Sequence, residues 1–152
     1  MDRTFFEDLE VGDRFGGERF VVDGEEMLEF ARRWDPRPIH VDDAAGKEAG
    51  FGEAIASGAL TTAIYTLLSL RSREANGGHA VIAGLGSETK LPRPVRRGDV
   101  LEFRGEILDK RLSRSRSDAG IVETLGRLHN QNDEVVYESK TFTLVARRPS
   151  SD

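Results

Sequence analysis

The chain contains no cysteine, which excludes disulfide bridges, thiolate metal ligands and thiol nucleophiles. Histidine is scarce: His40, His79 and His129 lie far apart and form no metal-binding motif. No apolar run approaches the ~20 residues that a membrane-crossing helix needs. The opening Met1-Asp2-Arg3-Thr4-Phe5-Phe6-Glu7 is too acidic and too short of apolar length to read as a signal peptide. Positive charge is in deficit, 22 Lys and Arg against 27 Asp and Glu for a net charge of -5. That balance argues against general nucleic-acid binding and leaves room only for local basic patches. The expectation is a protein of the cytoplasm that binds neither nucleic acid nor membrane, to which the missing cysteine adds weak support.

At 152 residues, 38% hydrophobic and 32% charged, the composition fits one globular domain over residues 1–152, with flexible ends at about 1–4 and 148–152. After a short opening element and a Val11-Gly12-Asp13 turn, a strand should run to Val22. Asp23-Gly24 can cap a helix from about Glu25 to Trp34, on which Met27, Leu28, Ala31 and Trp34 share one face. A short helix from Asp42 to Glu48 should follow, acidic at its start and with Gly50 after its end. A longer helix begins after Ser57-Gly58, with Leu60, Ile64, Leu67 and Leu68 at helical spacing. Little charge precedes Arg71, so this helix reads as buried nearly all round. From Ala80 onward the pattern is of strands: Ala80 to Leu91, Val100 to Leu112, Ala119 to Asn130 and Glu134 to Arg147. Short connections demand antiparallel neighbours. One apolar helix and one long antiparallel sheet predict an α+β fold in which the sheet wraps around the helix.

Within Trp34-Asp35-Pro36-Arg37-Pro38-Ile39-His40, an acid and an imidazole stand five residues apart around two prolines. Asp and His are a common pair for moving protons near neutral pH. Each proline fixes its own φ and pushes the preceding Asp35 or Arg37 away from helix, so a rigid extended turn is expected. Such a turn can present both side chains to one small molecule. An Asp before Pro is also a common helix terminator, and a lone His is often a hydrogen-bonded, half-buried residue. Spacing alone leaves both readings open.

Three blocks, Asp35-Pro36-Arg37-Pro38-Ile39-His40, Ile55-Ala56-Ser57-Gly58-Ala59-Leu60 and Leu91-Pro92-Arg93-Pro94-Val95-Arg96-Arg97-Gly98-Asp99, resemble the MaoC-like acyl dehydratases in order and separation. That family includes the (R)-specific enoyl-CoA hydratases. The resemblance covers nearly the whole chain, including the Ser-rich loop before Gly120-Ile121-Val122 and the Asn130-Gln131-Asn132-Asp133-Glu134 turn. It implies a single hotdog fold and a homodimer, or a multiple of dimers, with sites at the subunit interface. In the hydratases the motif is Asp-x-Asn-Pro-x-His, so Asp35 and His40 map onto the catalytic pair, and Gly58 onto the glycine that opens the central helix. Two departures bear on the substrate: Arg37 replaces the Asn, and Ser57 stands where a His commonly precedes the helix glycine.

Adding water to a 2-enoyl thioester needs an activated water, a proton for C2, and stabilisation of charge on the thioester oxygen. The resemblance implies that Asp35 acts as base, that His40 holds and relays with the same water, and that N–H groups at the Gly58 end of the helix face that oxygen. Gly58 can equally just ease the turn into the helix. Ser57 reads first as the helix N-cap and second as a substrate contact. Arg37 can reach a CoA phosphate or an acidic acyl group, or be a solvated loop arginine. Arg93, Arg96 and Arg97 form either a diphosphate site or a charged turn between strands. The alternation Ser113-Arg114-Ser115-Arg116-Ser117 reads as a solvated loop and then as a phosphate contact, being too short and too poor in aromatics for RNA. Asp42 and Asp43 suit the acidic first turn of a helix better than a metal site, and neither metal nor redox cofactor is expected. The leading function is a hydro-lyase interconverting a 2-enoyl and an (R)-3-hydroxyacyl thioester of CoA or a carrier protein. A hotdog thioesterase and a non-catalytic acyl-thioester binding subunit are the alternatives.

Overall fold

In a computed structural model the structure describes residues 3–150. A single 3-10 turn, Phe6–Asp8, precedes β1 (Arg14–Val21), α1 (Gly24–Trp34), α2 (Pro38–Val41), α3 (Asp43–Glu48) and α4 (Gly58–Ala75). Four strands follow: β2 (Val81–Lys90), β3 (Val100–Leu112), β4 (Ala119–His129) and β5 (Val135–Ala146). They form one antiparallel sheet in the order β1-β3-β4-β5-β2, curled along α4 as a hotdog fold.

Alternation sets the two faces of the sheet. In β3, Leu101, Phe103 and Ile107 are buried against the core while Glu102, Arg104 and Glu106 point outward. Leu60, Ile64, Tyr65 and Leu68 of α4 meet this inner face. Tyr65 packs edge-on against Phe103 with ring centroids 5.4 Å apart, and against Tyr137 at 4.8 Å. The helix comes so near β4 that a Cβ on Gly126 would stand 2.1 Å from the Tyr65 hydroxyl, so that position has no room for a side chain.

Three expectations need correction. α4 is not buried all round: Ala59, Thr62, Ala63, Thr66 and Leu70 are exposed, Leu70 by 52%. Five strands cover one side of the helix, and β2, at the sheet edge, is exposed along all ten residues. Trp34 shares the spacing of Met27 and Ala31, but those two are fully buried and Trp34 is 64% exposed, with the Arg33 guanidinium over its ring. Being the last residue of α1, it projects beyond the core. Finally, the Asp35–His40 segment is extended only as far as Arg37 (φ -61°, ψ 140°); Pro38 then opens one helical turn that carries His40. Proline excludes helix for the residue before it but suits the first helical position itself.

Of the ends expected to be flexible, Thr4 donates its N–H to Gly78 O at 2.8 Å and Arg148 donates its own to Glu7 Oε2 at 2.9 Å. Residues 1, 2, 151 and 152 lie outside the described residues.

The segment that leads into α4 is seated on α3 through Gly46, where an added Cβ would lie 1.9 Å from the Glu53 carbonyl oxygen. Gly46→Ala should therefore lower stability by about 1–3 kcal/mol, the usual range for overpacking. Equilibrium urea unfolding reads this directly. An unchanged midpoint would show that residues 53–54 are not held against α3.

Candidate active site

The site begins where α1 stops. Asp35 accepts the helix end, its N–H bonding Ala31 O at 2.9 Å, and leaves helical geometry (φ -153°, ψ 70°) ahead of Pro36. Its side chain is only 13% exposed and is surrounded by donors. Arg37 grips it with a fork, Nε to Oδ1 and Nη2 to Oδ2, both at 2.7 Å. Ser57 Oγ donates to Oδ2 at 2.6 Å. The Ser57 side chain also accepts the Ala59 N–H at 3.2 Å, so it caps α4 and holds Asp35 together.

His40 is buried on α2, with its Nδ1 2.9 Å from the Ile55 carbonyl oxygen. A carbonyl oxygen only accepts, so Nδ1 carries the proton and Nε2 is turned toward Asp35 Oδ2, 3.4 Å away. Ile55 returns a bond, N–H to Ile39 O at 3.0 Å, which fixes the ring carrier against residues 53–57. The Arg37 fork, then the Ser57 hydroxyl, then the His40 charge hold the Asp35 carboxyl well below the usual carboxylate range, against an opposing effect of desolvation. Asp35 in turn raises Arg37.

Gly58 opens α4. A Cβ there would meet the Leu91 side chain at 3.1 Å, and no acceptor among the described residues takes the Gly58 N–H. A helix N-terminus with a free N–H can receive a developing oxyanion.

The other sequence candidates lie apart from this cluster. Arg96 donates to Phe51 O, while Arg97 pairs with Asp43 and with Glu53 at 3.1 Å. Arg93 pairs with Glu134 at 3.1 Å. None of the three bonds Asp35, His40 or Ser57; together they fasten the β2–β3 connection to the loops around it. Asp42 caps α3 by accepting the Ala44 N–H at 3.0 Å, and Asp43 accepts the Ala54 N–H at 3.0 Å. Arg116 of the Ser-Arg loop forks onto Asp118. A cavity of about 660 Å³ opens elsewhere, with Arg14, Phe15, Arg104, Arg127 and His129 in its wall and none of Asp35, His40 or Ser57. Acid, imidazole and free N–H adjoin at Asp35, His40 and Gly58, apart from that cavity. Two contacts escaped sequence reasoning, Ile55 O on His40 and Ser57 on Asp35. The second spans 22 residues and has no local signal beyond the suitability of Ser57 as a cap.

A curled antiparallel sheet on one long helix is the hotdog fold, and here an Asp–His pair lies beside the helix start. Residues 10–126 match the MaoC like domain, and the chain belongs to that family. It is 30% identical to the uncharacterized protein YdeM of Bacillus subtilis (strain 168), over 93% of this chain and 98% of that one. Among solved structures it is similar to the MaoC-like dehydratase from Rhodospirillum rubrum, at 38% identity and a TM-score of 0.87, over 97% of this chain and 99% of that one. The R-hydratase PhaJ1 from Pseudomonas aeruginosa shares the fold at 24% identity and a TM-score of 0.74, over 99% of this chain and 93% of that one.

The folded-state carboxyl of Asp35 titrates below its unfolded value, so its contribution to stability is present above the ordinary carboxylate range and is lost as pH falls through the lowered value. In a carbon-13 NMR titration, Asp35 should stay ionised after the other carboxylates have protonated. Arg37→Gln should raise its midpoint most and Ser57→Ala less. An ordinary midpoint in the unaltered protein would show that the fork does not persist in solution.

Proposed function

We propose that this protein catalyses the reversible addition of water to a 2-enoyl thioester, giving an (R)-3-hydroxyacyl thioester. The observation that carries this reading is His40 Nε2 lying 3.4 Å from Asp35 Oδ2, with its ring fixed by the Ile55 carbonyl and the pair adjoining the N-terminus of α4. A water held between the two groups gives its proton to the pair, and its oxygen bonds C3. C2 receives a proton, and the Gly58 N–H stabilises the charge that develops on the thioester oxygen. Which of the two holds the proton at each moment belongs to the coupled pair. Family membership and the fold shared with an R-hydratase support the reaction class. No helix among the described residues is long and apolar enough to cross a membrane. The thioester is bound to CoA or a carrier protein, and we place the reaction in the cytoplasm.

A parallel assay of double-bond absorbance and free thiol over a set of enoyl-CoA thioesters tests the class. Loss of the double bond is expected; thiol release without it would make the protein a thioesterase, and neither signal would favour a binding subunit. Asp35→Asn and His40→Ala should each lower kcat about 10²- to 10⁴-fold in folded protein. The double mutant should lose far less than the product of the single losses, since the two act as a unit. Chiral analysis should give the (R) product, and an (S) product would place the substrate on the other face of the pair.

The working unit in this proposal is a homodimer. β2 leaves one edge without a partner strand, and Val81, Ile82 and Leu85 on it are 42%, 41% and 53% exposed. Leu91 at its end and Leu70 of α4 add 54% and 52%. An edge of this length and apolarity is association-prone unless covered. Pairing across a two-fold axis covers it and forms a cleft between the Asp35 turn of one subunit and strands of the other. Sedimentation equilibrium at micromolar concentration should give twice the 16.8 kDa chain mass or a multiple of that dimer. Leu85→Glu should shift it toward monomer with loss of activity. A stable monomer with full activity would overturn the shared site.

A further inference from the structure

The oxygen of the proposed base that faces His40 is fully occupied in the resting protein. Asp35 Oδ2 accepts from Ser57 Oγ at 2.6 Å and from Arg37 Nη2 at 2.7 Å, while Oδ1 accepts from Arg37 Nε at 2.7 Å. An ionised carboxylate oxygen has two lone-pair sites, so Oδ2 has none left for a water. A carboxylate gripped in this way is also a weak base, because both donors favour its charged form. For Asp35 to take a proton on Oδ2, the oxygen it shares with His40, a donor has to withdraw.

Ser57 is the wrong candidate, because it is fully buried and its hydroxyl caps α4. Arg37 differs in every respect. Its side chain is 69% exposed, it stands on a loop between two prolines, and its guanidinium makes no hydrogen bond to any described residue other than Asp35. Breaking a bidentate, charge-assisted pair is unfavourable without a replacement. What draws Arg37 away must therefore be another anion, and one within a single arginine side chain of the reacting carbons. The diphosphate of CoA does not meet that condition. A whole pantetheine arm separates it from the thioester, so it lies far from Arg37 while Asp35 works at C3. An anion carried by the acyl group itself meets it.

We propose that Arg37 is the specificity-determining residue of this site, and that the substrate class is an acyl thioester with a free carboxylate on its acyl chain. The inference rests on the hydratase reading. In the resting state the Arg37 cation pairs with Asp35. With substrate bound it pairs with the acyl carboxylate, and Asp35 is left with Ser57 and His40 as its only polar neighbours among the described residues. The loss of its strongest partner raises the basicity of Asp35 at the moment water must be activated. Water then supplies hydroxyl to C3 and a proton to the Asp35–His40 pair, C2 gains a proton, and no further reactant is consumed. A neutral acyl chain leaves the fork closed.

The test compares two saturated, non-reacting thioesters that differ in one terminal group, glutaryl-CoA and pentanoyl-CoA, by calorimetric titration of the intact protein. The unaltered protein should bind glutaryl-CoA about 10- to 100-fold more tightly, the span expected of a charge-assisted pair. Arg37→Gln should remove that preference, and Arg37→Lys, which keeps the charge but not the fork, should retain part of it. In turnover, Arg37→Gln should lower the ratio of kcat/KM on a carboxylated 2-enoyl thioester to that on its neutral counterpart. If both thioesters bind equally, or the preference survives in Arg37→Gln, the role of Arg37 is overturned and the thioester reading stands. If neither binds either protein, the thioester reading fails and this inference with it.

Discussion

The geometry of the candidate site depends on one hydroxyl group. Ser57 Oγ has one proton and two acceptor sites, and the fold uses both capacities at once. The proton goes to Asp35 at 2.6 Å, and the oxygen receives the Ala59 N–H. The cap contributes about 1 kcal/mol to the helix in the usual range. Its larger consequence is positional, because the end of α1 and the start of α4 share an atom. The segment before Ser57 is fixed on both sides, by Ile55 N–H to Ile39 O at 3.0 Å and Ala56 N–H to Val95 O at 2.8 Å. Acid, imidazole and helix start are thereby set by one short run of chain. In this structure its single proton is given to Asp35, so Ser57 holds the carboxylate and caps the helix at once.

The sequence showed the scaffold more clearly than the contacts. β3 occupies Val100–Leu112 as read from its pattern, and α4 starts at Gly58 behind its Ser57 cap. Both signals are local: alternation along a strand, and a capping residue before an apolar run. Periodicity reports that a helix face will be covered, however, and not by what. Leu70 and Trp34 are apolar residues at helical spacing, and both stay open to solvent in a single chain. The same limit applies to β2, whose apolar residues match a strand that the chain itself covers on neither face. The Asp35 turn departs from its sequence pattern for a different reason. Two prolines suggest an extended turn throughout, but the rule binds only the residue before each, and Pro38 fits the first position of a helical turn. That turn is what brings His40 back to Asp35.

Charge was the least legible property, since a sequence shows signs without partners. Arg96 and Arg97 read as equal candidates with Arg37 for holding phosphate. The fold gives them acceptors from other elements: Phe51 O and Glu53 for Arg96, Asp43 and Glu53 for Arg97. Exposed pairs of this kind contribute little individually to stability. As a set they fasten residues 91–99 to the loop that delivers Ser57, which makes them parts of the frame.

Arg37 stands on the other side of that division. A guanidinium with partners on several elements cannot move without disturbing all of them, whereas one with a single partner moves at the expense of that partner alone. For Arg37 the single partner is Asp35, and no other described residue bonds its guanidinium. Among Arg37, Arg96 and Arg97, the one least tied to the frame is the one bonded to Asp35. In the proposed cycle, withdrawal of Arg37 changes the charge environment of Asp35 while Ser57, His40 and the start of α4 stay in place. A site built this way alters its basicity without altering its geometry, because the buried donor fixes position and the exposed one controls how far the carboxylate is neutralised.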